Sequence, residues 1–220
     1  MKIRFIISLA TLALIAFSVH AHSVWIEDTK NGKLIVRFGE LGDELEKSPG
    51  YLDELSQPIA WTEGKTNSVQ LLKVKKKSDN FALSGVKASQ AVFVQTDFSV
   101  LSAPGKPGRW PIFYARWYVA GSGAAKPMLT FDLVPTGALG EIKVYFHNKP
   151  LPDAKVTVTT PDGKDTDLTS DADGIVHFTA DKPGLYLAVS VHQRDALPGY
   201  SRGVPYDLIS HDTALTWRQP

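Results

Sequence analysis

Short apolar, β-branched segments separated by Gly, Pro, Asn and Asp recur along almost the whole chain. Residues 34–38, 69–74, 91–96, 113–119, 128–134, 141–146, 155–159, 175–179, 184–191 and 213–217 each have strand length and strand composition. The 17 Gly and 14 Pro are spread between these segments as punctuation and are not pooled in one linker. Helical periodicity is best developed over residues 41–55, where Ser48-Pro49-Gly50 interrupts it. The expected fold class is therefore all-β, with two β-sandwich domains. The Pro- and Gly-bearing stretch 134–140 predicts the boundary, giving an N-terminal β domain over 22–134 and a C-terminal sandwich over 141–220.

The first 21 residues predict something other than fold. Lys2 and Arg4 precede an apolar run over 5–19 that only Ser8, Thr11 and Ser18 interrupt, and Val19-His20-Ala21 supplies small residues at the −3 and −1 positions of a cleavage site. That is the pattern of a secretory signal peptide. The run is also short of the roughly 20 apolar residues a spanning helix needs. Cleavage after Ala21 leaves a chain that begins at His22, and removing Lys2 and Arg4 takes the formal charge from +1 to −1. The expectation is an exported, periplasmic protein with no membrane span after processing. With Lys plus Arg at 24 and Asp plus Glu at 23, no basic excess exists to track nucleic acid. The absence of Cys excludes disulfides, thiolate nucleophiles and Cys-based zinc sites.

A mature N-terminal His offers two nitrogens to one metal, because its α-amine and ring Nδ1 can close a chelate. With an ordinary pKa of about 7.7–8.0, the amine loses its proton readily near neutral pH. A further imidazole would give a nitrogen-rich set suited to Cu(II) or Ni(II). His192 and His211 are the candidates, with Glu40 as an oxygen ligand or as the carboxylate that orients a histidine. Strand alternation places His192 with Ser190, Ala188 and Tyr186, and His211 with Thr213, Leu215 and Trp217. A returning loop would bring the two rings together. His147 and His177 read as surface residues. Asp171-Ala-Asp-Gly174 reads as a hairpin turn and not a calcium loop, because the twelfth position counted from Asp171 is Lys182. Lys73, Lys75, Lys76 and Lys77 predict a solvated edge strand. Tyr114, Arg116 and Tyr118 are expected on one strand face, with Phe113, Ala115 and Trp117 on the other. Neither a Gly-x-Ser-x-Gly elbow nor a His-Glu-x-x-His motif occurs.

The segments HSVWIED, RFGELGDELEKSPGYLDEL, KPMLTFDLVPTG and PGYSRGVPYDLISHDTALTW together resemble a bacterial exported family of unknown function that is similar to NikM-like nickel/cobalt transport periplasmic components. The resemblance covers nearly the whole mature chain. It implies two β domains, export, and a role with a divalent metal (Ni, Co or Cu) beside a membrane metal-uptake transporter. Two positions depart from the family pattern. Pro198-Gly199-Tyr200 stands where Pro-Gly-Glu is expected, which removes a carboxylate, and Asn148-Lys149-Pro150 stands for Gly-Lys-Pro. The C-terminal cadence is also similar to prealbumin-like and carboxypeptidase-regulatory-like sandwiches. The functional expectation is a periplasmic metal-binding protein, with binding favoured over catalysis. Two alternatives stand beside it: a histidine-brace copper oxidase acting on polysaccharide with Tyr200 or Tyr206 at the site, and a non-catalytic extracellular binding module.

Overall fold

The computed structural model describes residues 22–42, 45–64 and 68–220. The expected signal peptide over 1–21 lies outside the described residues. The chain runs through β1 (Ser23–Asp28), β2 (Leu34–Gly39), a 3-10 turn (Tyr51–Glu54), β3 (Ile59–Glu63), β4 (Val69–Leu71), β5 (Lys73–Lys76), β6 (Phe81–Ser84), β7 (Val92–Asp97), β8 (Leu101–Ala103), β9 (Lys106–Tyr118) and β10 (Phe131–Pro135). It continues through β11 (Glu141–Phe146), β12 (Lys149–Pro150), β13 (Lys155–Thr159), β14 (Asp165–Thr169), β15 (Ile175–His177), β16 (Gly184–Asp195), β17 (Gly199–Ser201), β18 (Val204–Tyr206) and β19 (Leu208–Gln219). Among the described residues, no helix is long and apolar enough to cross a membrane.

The all-β expectation holds, and the strands pack as sandwiches. A nine-stranded sheet in the order β14-β13-β16-β19-β9-β7-β3-β4, with β8 beside β9, forms the middle layer. A four-stranded sheet, β1-β2-β6-β5, covers one face. The core between them holds Val24, Ile26, Val36, Phe38, Phe81, Val92, Val94, Phe113, Ala115 and Trp117. A second four-stranded sheet, of β10, β11, β12 and β15, covers the other face. There the core holds Phe93, Tyr114, Phe131, Leu133, Ile142, Val144, Val156, Val158, Tyr186, Ala188, Leu215 and Trp217.

Because side chains alternate across a strand, β9 serves both cores. Tyr114 goes to one and Phe113, Ala115 and Trp117 to the other, as its sequence predicts. The middle sheet joins the two halves of the sequence directly, since β19 pairs with β9 in parallel from Leu208 opposite Arg109 to Trp217 opposite Tyr118. The stretch 134–140 is the connection of a hairpin, because β10 and β11 pair antiparallel.

A buried ion pair fixes the face that carries β10. Arg116 Nε donates to Asp132 Oδ1 at 2.9 Å and its terminal nitrogen donates to Oδ2 at 2.5 Å. The backbone N–H groups of Met128 and Leu129 complete the carboxylate, and Arg116 lies 4.7 Å from the centre of the Phe93 ring. Both oxygens of the buried carboxylate thus meet donors. The Lys-rich segment is an edge strand, β5, as expected. Residues 69–74 are not one strand, however. The chain leaves the middle sheet after β4, crosses at Leu72, whose amide bonds Ala60, and enters the outer sheet as β5.

Candidate functional site

The β1–β2 hairpin places His22. Its turn contains Asn31-Gly32, with Gly32 at φ 69°, a conformation Gly adopts without a Cβ clash. The register sets Ser23 opposite Gly39, so His22 and Glu40 flank the open end of the hairpin together. The amide of Glu46 bonds the Phe38 carbonyl at 3.1 Å, and Leu45 bridges to Gly39. The chain thus returns a second carboxylate to the same end. His22 Nε2 lies 2.6 Å from Glu46 Oε1, and Nδ1 lies 3.8 Å from Glu40 Oε1. The ring also meets Phe38 and Tyr51, each with centroids 5.5 Å away. Its side chain is 40% exposed, so the imidazole is held yet reachable from solvent.

His192 arrives at the same place by a different device. In β16 the pairing with β19 shifts register between Ser190 and Gln193, and His192 has φ 67°. This is a β-bulge with a non-Gly residue in the left-handed region, a feature that re-aims side chains beside functional sites. The bulge is held by the His192 backbone N–H, which donates to Asp212 Oδ1 at 2.6 Å, and the ring's Nδ1 lies 3.5 Å from the same carboxylate oxygen. His22, His192, Asp212, Arg109, Tyr51 and Phe38 share one pocket of about 200 Å³. Its wall is largely aromatic, and its polar groups converge from the residue before β1, the 3-10 turn, β9, β16 and β19. Burial pushes the Asp212 carboxyl above the usual carboxylate range, opposed by the His192 hydrogen bond and by the charges of His192 and Arg109. His192 and Glu40 also line the adjoining groove, about 480 Å³, along β13, β14 and β16.

Three of the four residues expected to bind metal, His22, Glu40 and His192, are therefore neighbours around one opening. His211 is not among them. It is buried as its pattern with Leu215 and Trp217 predicts, but Asp212 takes the His22 face of β19 and His211 takes the opposite one. There Tyr114 stacks on it at 5.9 Å, with the phenolic oxygen 3.1 Å from Nδ1. Its Nε2 lies 3.1 Å from Asp195 Oδ2, and His147 Nε2 lies 2.9 Å from the same oxygen. Burial pushes the His211 imidazole below its usual value and the Tyr114 phenol up to about 12. Both groups are thus neutral near pH 7.

A returning loop was expected to bring the rings of His192 and His211 together; with the bulge in β16, they lie on opposite sides of the sheet instead. Tyr206 packs tilted against Trp110 with ring centroids 5.2 Å apart and Tyr200 is exposed; the tyrosine at the His22 pocket is Tyr51. Among the described residues, no three His, Asp or Glu side chains form a group that could hold a metal ion.

Glu46, Asp212 and His147 were not singled out as site residues. A signal that pairs His22 with Glu40 was present in the sequence. Asn31-Gly32 between HSVWIED and KLIVRF is a hairpin pattern that pairs the His22 end with the Glu40 end. The fold and the pocket define a class: a β-sandwich protein with an imidazole- and carboxylate-lined opening where β1 starts. A family model for a domain of unknown function (DUF4198) matches residues 124–194, which run from ahead of β10 almost to the end of β16 and include His147 and His192. The chain is similar to that family over this stretch; His22, Glu40 and His211 lie outside it. A search of the curated proteins gives no match.

Proposed function

We propose that the protein is an exported, periplasmic binding protein for a divalent transition metal (nickel, cobalt or copper) and that it hands the ion to a membrane uptake transporter. The observation that carries this reading is that His22 sits between two carboxylates at the mouth of a pocket it shares with His192. Glu46 at Nε2 favours the tautomer with its proton there, which leaves the Nδ1 lone pair free. Processing after Ala21 would then give a free α-amine on the same residue, and amine plus Nδ1 form a chelate. His192 supplies a further nitrogen, and Glu40 an oxygen.

Such a mixed nitrogen and oxygen set suits borderline ions. Asp212 positions His192 by fixing the bulge amide. The resemblance to NikM-like components points to the same cargo and to the uptake partner. Calorimetry on the processed chain tests the reading. Binding of one equivalent of Cu(II), Ni(II) or Co(II) at micromolar affinity or tighter is expected, and this equivalent should vanish when Ala21 is left ahead of His22. No heat with any of the three ions contradicts it.

A further inference from the structure

The end of β19 away from Asp212 closes a cavity that neither histidine cluster uses. It holds about 250 Å³ and lies on the face of β19 that carries Leu215 and Trp217. Ile142, Leu215 and Trp217 form its buried floor, Tyr118 and Phe178 its sides, and the β10–β11 connection its rim. We propose that this cavity binds a small, flat aromatic molecule of one or two rings that carries a hydroxyl group and no negative charge.

Three observations carry the inference. The first is an unspent donor. Trp217 is only 6% exposed, and among the described residues its indole N–H meets no acceptor, whereas those of Trp25, Trp110 and Trp117 each do. An indole N–H on a buried ring ordinarily finds a partner. Among the described residues, Thr213 Oγ1 is the one fully enclosed side-chain polar atom without a partner, so the Trp217 N–H is not sealed in. The open space that Trp217 lines is this cavity. An acceptor on a bound molecule would complete the donor.

The second is shape. Trp217 is held flat against Tyr186, with ring centroids 5.0 Å apart and planes inclined by 12°, and Phe178 packs on it at 5.7 Å. The Tyr118 hydroxyl is spent on the Gly123 carbonyl at 2.8 Å, so this residue offers a ring and no free donor. Rings fixed in this way favour offset or edge contacts with a further ring. The volume lies below the roughly 300–1,000 Å³ of sites for drug-sized ligands, which keeps the occupant to one or two rings. The rim is preformed. Gly140, at φ 71°, brings the β10–β11 connection against Phe178, whose amide donates to the Gly140 carbonyl at 2.9 Å, and a Cβ there would collide with the Phe178 carbonyl. Leu139 in the same connection is 68% exposed at the mouth, an apolar side chain that an occupant would cover.

The third is charge. Glu141 also lines the cavity, and its Oε2 lies 3.4 Å from Nδ1 of the exposed His177. A carboxylate accepts an O–H and repels an anion. A phenolic hydroxyl both accepts and donates, so it answers the Trp217 N–H and the Glu141 carboxylate, and an aromatic acid does not.

The probe is 2-naphthol, titrated into ¹⁵N-labelled protein that begins at His22. The indole N–H resonance of Trp217, identified by its loss in Trp217→Phe, should shift and saturate with one dissociation constant. Ala138→Phe, at an exposed position on the rim, fills the mouth and should weaken binding at least tenfold. The matching acid, 2-naphthoate, should bind at least tenfold more weakly than 2-naphthol, and Glu141→Gln should narrow that gap. No saturable shift of the Trp217 resonance, or a shift that Ala138→Phe leaves unchanged, overturns the proposal. Equal binding of the naphthol and the naphthoate overturns the ligand class assigned through Glu141.

Discussion

Two histidine clusters lie back to back on β19, built by adjacent residues. Asp212 faces the opening with His22 and His192, and His211 faces Asp195, His147 and Tyr114. The first cluster is an open one. Its histidines are 40% and 47% exposed, and its carboxylates come from three parts of the chain. The second is anchored on a ring only 4% exposed and stacked on core aromatics. The contrast teaches that one strand buried on both faces can support two polar sites, provided each carboxylate meets its own donors. It also shows that a single bulge decides which histidine joins which site. Without the irregularity at 190–193, His192 would follow Ser190 onto the side of His211.

The largest effect is expected at Asp132. It lies on the face of the second cluster, yet that face shares its sheet with the other. Asp132→Ala leaves the Arg116 guanidinium buried without its partner, and calorimetric melting should show a loss of about 3–5 kcal/mol. If the two faces are one unit through the β19–β9 pairing, the melt stays a single transition. Two separated transitions would break that claim. Asp212→Ala removes the acceptor of the part-buried His192 amide, a cost of about 1 kcal/mol in urea denaturation. It should also weaken metal binding at the His22 opening.

His192→Gly is expected to change stability by no more than about 1 kcal/mol in the same assay, because Gly takes a positive φ without strain. The metal affinity of the first site should nevertheless fall at least tenfold in calorimetry. A large stability loss would mean that the ring, and not the bulge, holds β16 in register. The smallest effect is at Asp53, whose bonds from Lys76, Ser48 and the Gly50 amide hold its carboxyl down at about 2. A lowered folded-state pKa stabilises above the ordinary carboxylate range and is lost as pH falls toward 2. Exposure keeps the contribution small. The 3-10 turn that carries Tyr51 should therefore loosen between about pH 4 and 2, seen as Tyr51 ring resonances moving away from His22 while His211 and Tyr114 are unaffected.

Much of the fold was legible because its strands are bounded by Gly and Pro turns. The segments at β2, β7, β11 and β13 match their expected spans to within a residue or so, and the two-faced alternation of β9 was correct. Short or polar strands were not visible: Asp165–Thr169 in β14 has the composition of a loop and is a strand only because β13 pairs with it. At the first site, His22, Glu40 and His192 were named, but Glu46 arrives through a non-local bridge from Leu45 to Gly39 that no periodicity marks. The bulge at His192 carries no Gly to announce it. His147 is the surface residue its sequence suggested, but its contacts with Asp195 and His211 come from distant strands, and sequence spacing does not encode that convergence.

The account's central claim is a chelate at the mature N-terminus. It is tested most directly by electron paramagnetic resonance of one equivalent of Cu(II) on protein processed to begin at His22 and, in parallel, on protein retaining Ala21. The processed form should show hyperfine splitting from several nitrogens, and the extended form should lose it. Identical spectra from the two forms would contradict the claim.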